Sequence, residues 1–91
     1  MEEQVVRECK SLINRGASLE SLQEYYRGFQ ETDFGTDIDA PYILQKVYIH
    51  ACLRKRPDIA DWLTPMFASL DPISHIAYRQ TLNYGRFLLR K

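Results

Sequence analysis

Residues 39–55 read DAPYILQKVYIHACLRK, and the way this stretch is hidden from water decides the fold. Tyr42, Ile43, Leu44, Val47, Tyr48, Ile49, Ala51, Cys52 and Leu53 are apolar or mostly so, whereas Gln45, Lys46, His50, Arg54 and Lys55 are clearly polar. At 3.6 residues per turn, Leu44, Val47, Tyr48 and Ala51 form one broad face. Ile43, Ile49 and Leu53 interrupt the opposite, polar face. A surface helix keeps a single apolar stripe. This one needs cover on more than one side, supplied either by its own chain or in part by a partner. We read it as the central helix of the molecule.

Upstream, residues 2–14 predict a first helix. Val5, Val6, Cys9, Leu12 and Ile13 share one face, and Glu2 and Glu3 suit the positive end of the helix dipole. Arg15-Gly16 ends it, with Gly16 fitted to a left-handed cap. Ser18 is a good N-cap for a second helix over residues 19–30. Its inner face is Leu19, Leu22, Tyr25, Tyr26 and Phe29, three of them aromatic and large. So short a break predicts an antiparallel hairpin. Gly28 is placed to let another backbone approach.

Residues 31–39, ETDFGTDID, form the longest irregular segment. Thr36 or Asp39 is expected to cap the central helix, with Pro41 tolerated in its first turn. Asp33, Asp37 and Asp39 raise the question of calcium. The glycine is misplaced, however, and the position of a closing glutamate is Leu44, so no metal is expected.

Downstream, Pro57 and Asp58 open a fourth helix. Ile59, Trp62, Leu63, Met66, Phe67 and Leu70 give it the sharpest periodicity in the chain. Pro65 predicts a kink or split near Thr64. Asp71-Pro72 starts a fifth helix that runs to about residue 89. One stripe there holds Ile73, Ala77, Thr81, Tyr84 and Leu88; another holds Tyr78, Leu82 and Leu89, near Gly85. Glycine inside a helix costs about 1 kcal/mol relative to alanine, which a close helix crossing at Gly85 would offset. No strand signal competes. The expected fold is all-α: about five helices packed as antiparallel hairpins in one domain, with a hairpin over 2–30, the acidic loop 31–39 and a helical part over 40–91.

The length of 91 residues is that of a single domain. No stretch approaches the roughly 20 apolar residues of a membrane span, and the N-terminus is unlike a secretory signal. Cys9 and Cys52 are too few for a disulfide framework. They read as reduced, buried thiols of a cytoplasmic protein. Net charge is zero but polarised: residues 1–40 hold four basic and nine acidic side chains, residues 41–91 eight basic and three acidic. The two halves attract each other within the fold, or the polarity marks a partner surface.

Catalysis is not expected. The histidines are His50 and His75, and His50 sits about 200° round the helix from Cys52, too far to act as its base. There is no zinc spacing and no phosphate-cradling glycine loop, hence no expected metal or cofactor. Nucleic-acid binding is the runner-up. Arg54, Lys55 and Arg56 form a basic run, and Arg79, Arg86, Arg90 and Lys91 line or end the last helix beside Tyr78 and Tyr84. Against it stand a neutral overall charge and a second helix that exposes Glu20 and Glu24. The favoured reading is a helical protein-interaction module whose groove takes a partner's amphipathic helix. Tyr42, Val47, Tyr48, Ala51, Trp62, Met66 and Tyr84 are the expected lining, and Arg54, Lys55 and Arg86 the expected steering charges.

The stretch SLINRGASLESLQEYY resembles a tetratricopeptide-style hairpin. A second stretch, YIHACLRKRPDIADWL, resembles another, with Ala51 and Cys52 at close-packed positions and Ile59, Ala60 and Leu63 opposite; it also fits the looser ankyrin spacing. SLINRG, the Cys52 helix and SLDPI before a basic last helix are similar to the small TPR-like co-chaperones that hold type III secretion needle subunits. The resemblance implies a cytoplasmic chaperone. Its concave helical surface would cradle an amphipathic, self-assembling helix alongside a second small chaperone.

Overall fold

The structure, a computed structural model, describes the backbone of residues 2–30, 40–68 and 72–90 and the side chains of residues 3–28, 42–67 and 78–90. The described residues form five helices and no strand: α1 (Glu2–Asn14), α2 (Leu19–Gln30), α3 (Ala40–Leu53), α4 (Pro57–Ala68) and α5 (Pro72–Arg90). The all-α expectation holds. The caps assigned to Thr36, Asp39 and Asp71, the acidic cluster of residues 31–39 and the placement of Phe29, Leu70, Ile73 and Ala77 lie outside the described residues.

Two of the helix ends share one local solution. After α1, Ala17 N–H donates to Leu12 O and Gly16 N–H to Ile13 O, each across 3.0 Å, with Gly16 at φ 76°. After α3, Arg56 N–H donates to Ala51 O across 2.9 Å and Lys55 N–H to Cys52 O across 3.1 Å, with Lys55 at φ 57°. Both are Schellman closures, in which a left-handed residue satisfies the last carbonyls of the helix. Glycine takes that conformation freely. Lys55 has a Cβ and is helped by its own ammonium, which donates to the Leu88 carbonyl on α5. Ser18 caps α2 as expected: the Ser21 N–H donates to Ser18 Oγ across 3.2 Å.

The helices meet around α3. It packs against α1, α4 and α5, while α2 packs on α1 and α4 on α5. His50 of α3 meets Asn14 of α1, whereas Tyr48 and Cys52 of α3 meet α5 at Gly85. His50 and Tyr48 point about 200° apart, so α1 and α5 flank α3 on opposite sides. α3 and α5 run parallel: Tyr48 reaches Leu82, Cys52 lies against Gly85, and Lys55 reaches Leu88. α1 and α3 are parallel too, since Asn14 pairs with His50 and Ala17 with Arg56. α1, α3 and α5 therefore form one layer, and the returning helices α2 and α4 stand behind it. The result is a slab of 38 × 34 × 19 Å.

Between the layers Val5, Cys9, Leu22, Ile43, Leu44, Val47, Tyr48, Ala51, Cys52, Ile59, Leu63, Phe67 and Tyr78 are buried. Fully burying a medium-sized apolar side chain contributes about 1.5–3 kcal/mol. Phe67 lies between two tyrosines: it meets Tyr48 edge-on with ring centroids 5.5 Å apart and Tyr78 at a tilt with centroids 5.1 Å apart. Gly85 is the close crossing that its position predicts: a Cβ there would sit 2.8 Å from Cζ of Tyr48 and 2.9 Å from Sγ of Cys52.

Three local expectations are corrected. α4 is one helix through Pro65, so the split near Thr64 does not occur; Thr64 Oγ1 donates to Ala60 O across 2.8 Å, a bond within the turn that Pro65 weakens. Among the described residues nothing lies within 4 Å of the space a Cβ would fill at Gly28, so no described helix crosses there. On α5 the core-facing line runs through Tyr78, Gly85 and Leu88, and Tyr84 is turned outward.

Candidate functional site

Once α1, α4 and α5 are in place, α3 keeps one open line. Tyr42, Lys46, Ile49 and Leu53 follow it at i, i+4, i+7 and i+11, which is one helix face. Tyr42 is 38% exposed, Leu53 is 54% exposed and Ile49 is half-buried. The Lys46 ammonium lies 5.7 Å from the centroid of the Tyr42 ring, a cation–π distance. This line forms one wall of a furrow whose other wall is α1. One part of the furrow, about 530 Å³, runs along Arg7, Lys10, Asn14 and Arg15 to Tyr42. The next part, about 240 Å³, is bounded by Lys10, Lys46, Ile49, His50 and Leu53. Lys10 borders both, so the two are adjacent.

His50 and Asn14 tie the walls together. Nε2 of neutral His50 donates to Asn14 Oδ1 across 2.8 Å. Burial lowers the pKa of His50, and the cations of Lys10 and Arg54 lower it further. His50 is therefore an uncharged strut inside a positive rim. Neither thiol is poised for nucleophilic chemistry. Burial, aided by Glu8, pushes Cys9 up to about 12, and burial raises Cys52 as well. Thiols so placed are inert at neutral pH. Among the described residues no three His, Cys, Asp or Glu side chains gather where they could hold a metal ion. No described helix is long and apolar enough to cross a membrane.

The ten residues that the sequence nominates do not converge on one surface. Tyr42 lines the furrow; Arg54 is exposed and follows Leu53 in sequence, but is not among the residues lining either hollow. Val47, Tyr48 and Ala51 are core residues and line no open groove; α4 and α5 cover the face of α3 that carries them. Trp62 and Met66 are partly buried on α4, in the back layer, where Trp62 meets the Tyr26 ring edge-on at 5.7 Å. Lys55 is engaged with the end of α5. Arg86 borders a separate hollow of about 570 Å³ with Arg79, Leu82 and Asn83. Tyr84 is 52% exposed on α5, outside the residues that line the furrow.

Arg7, Lys10, Asn14, Lys46, Ile49 and Leu53 were not nominated from sequence. The signal for three of them was present: Lys46, Ile49 and Leu53 share the face on which Ile49 and Leu53 break the polar pattern of α3. The α1 residues carried none, because only the packing brings that wall alongside.

Compared with protein-family models, with curated proteins and with solved structures, the chain matches none.

Proposed function

We propose that this protein is a non-enzymatic helical interaction module, a small chaperone or adaptor that holds an amphipathic helix of a partner in the α1–α3 furrow. The observation that carries this is the open line Tyr42, Ile49, Leu53 on a helix that is otherwise wrapped. Exposed apolar side chains arranged in a concave strip gain by meeting another apolar surface, and a helix fits such a strip through residues spaced i, i+3/i+4, i+7. The parallel α1–α3–α5 layer and the matching closures at Gly16 and Lys55 support the tetratricopeptide-style comparison. On that comparison the partner is a self-assembling subunit such as a type III secretion needle protein, held in the cytoplasm together with a second small chaperone.

The test is co-purification from the native host, with captured proteins identified by mass. Leu53→Glu places a carboxylate on an exposed position and should abolish capture while leaving the helical signal and melting temperature unchanged. Capture that survives this change would overturn the reading.

Nucleic-acid binding is the second reading, and one observation favours it. Arg79, Arg86 and Arg90 share one exposed stripe of α5, suited to phosphates. Salt-sensitive binding of an oligonucleotide, lost in Arg79→Glu/Arg86→Glu, would support it over the furrow.

A further inference from the structure

Resting on the furrow as the docking site, we infer that its occupant is a protein helix with an apolar stripe flanked by acidic side chains. The charge of the lining carries the argument. Arg7, Lys10 and Arg15 stand on the α1 wall and Lys46 on the α3 wall, against the single carboxylate of Glu3. Arg54, exposed just beyond Leu53 in sequence, adds a cation near enough to His50 to act on it. Among the described residues the only ion pair is Arg56–Asp58, so none of these five cations is paired with a described carboxylate. Burial first, and then Lys10 and Arg54, disfavour protonation of His50, so both cations lie near it. Cations in such excess over the described carboxylates repel one another, and a partner carrying carboxylates relieves that repulsion on docking.

The apolar floor selects among anions. Tyr42, Ile49 and Leu53 span about three turns of α3, some 17 Å, with Lys46 on the same line and the basic residues of α1 opposite. A nucleic-acid backbone has nothing to bury on aliphatic side chains, and its phosphates are served by charge alone. An anionic bilayer offers both lipid and charge but meets a protein as a plane, which a furrow between two helices does not match. An acidic amphipathic helix satisfies floor and charge together: its apolar residues cover Tyr42, Ile49 and Leu53, and its glutamates reach Lys46 on the same line of α3 and Arg7 and Lys10 on α1.

The experiment uses the full chain and two fluorescein-labelled synthetic helices of one design. Both carry a leucine stripe; one has glutamate flanks, the other lysine flanks. Fluorescence anisotropy should show the glutamate peptide binding at least about tenfold more tightly than its twin, with the advantage shrinking as salt is raised. Lys10→Glu/Lys46→Glu should reverse the order of the two peptides, with its folding checked by circular dichroism. The comparison of peptides on the unaltered chain needs no variant. Equal binding of both peptides, lost in Leu53→Glu, would overturn the acidic-partner inference and leave the furrow reading standing. Failure of both peptides to bind would overturn the two together. Binding of an oligonucleotide, or of phosphatidylserine vesicles, in preference to the glutamate peptide and through Lys10 and Lys46 would also overturn the inference.

Discussion

Gly85, Tyr78 and His50 each set a local free energy that a single substitution measures. Gly85→Ala gains about 1 kcal/mol of helix propensity but drives a methyl group into the Tyr48 ring and the Cys52 sulfur. That ring is held by Phe67 and by its hydroxyl, which donates to Leu82 O across 3.4 Å. Overpacking of this kind costs about 1–3 kcal/mol, so the variant should be less stable by about 1 kcal/mol in urea unfolding; a gain in stability would contradict the crossing. Tyr78 is buried, with its hydroxyl lacking a hydrogen-bond partner among the described residues. An unsatisfied buried hydroxyl costs about 1–3 kcal/mol. Tyr78→Phe should therefore raise the unfolding free energy by about 1 kcal/mol, and a loss would reveal a partner for the hydroxyl. The lowered pKa of His50 means that the unfolded chain takes up the proton more readily than the folded one. The stabilising effect is present above the unfolded value of 6.5 and is lost as pH falls through the lower folded value. His50→Gln should flatten that part of the stability–pH curve, and an unchanged slope would assign it to another group.

At the scale of helices and turns, the chain places its own stops well. Gly16 and Ser18 end α1 and begin α2 through the expected bonds, and Pro57 opens α4. These are effects of backbone dihedrals and capping, which depend on a few neighbouring residues, so they are legible in sequence. The joint between the two hairpins is different. Arg56 donates to Ala17 O across 3.0 Å, and to both carboxylate oxygens of Asp58 across 3.2 and 3.0 Å. The hydrogen bond from Arg56 holds Asp58 below the usual carboxylate range. Sequence placed Arg56 in a basic run without any hint of a contact 39 residues away. Because the group is partly solvated, Arg56→Ala should cost only about 1 kcal/mol. Arg56→Lys should recover less than half of it, since an ammonium lacks the fork; full recovery in thermal melts would argue against the bridging geometry.

The whole molecule is a two-layer slab whose interior passes through α3. Cys9 and Cys52 lie in that interior, with the Cys9 thiol pushed up to about 12. Their reaction with iodoacetamide at pH 8 should therefore wait on global unfolding. Both should be protected in buffer and become reactive in urea along the same transition as the helical signal. Rapid native labelling of either thiol would contradict the packing. The sequence by itself determined the five helices, their stops and most of the core, because helical periodicity, proline, glycine and capping act over a few residues. It also made α3 apolar on nearly every side, and for that reason could not say which side stays open. Ile43 and Cys52 are hidden while Leu53 is exposed, though all three are apolar residues of one helix. Only the positions of α1, α4 and α5 decide among them, since exposure is set by what packs across a helix and not by the pattern along it.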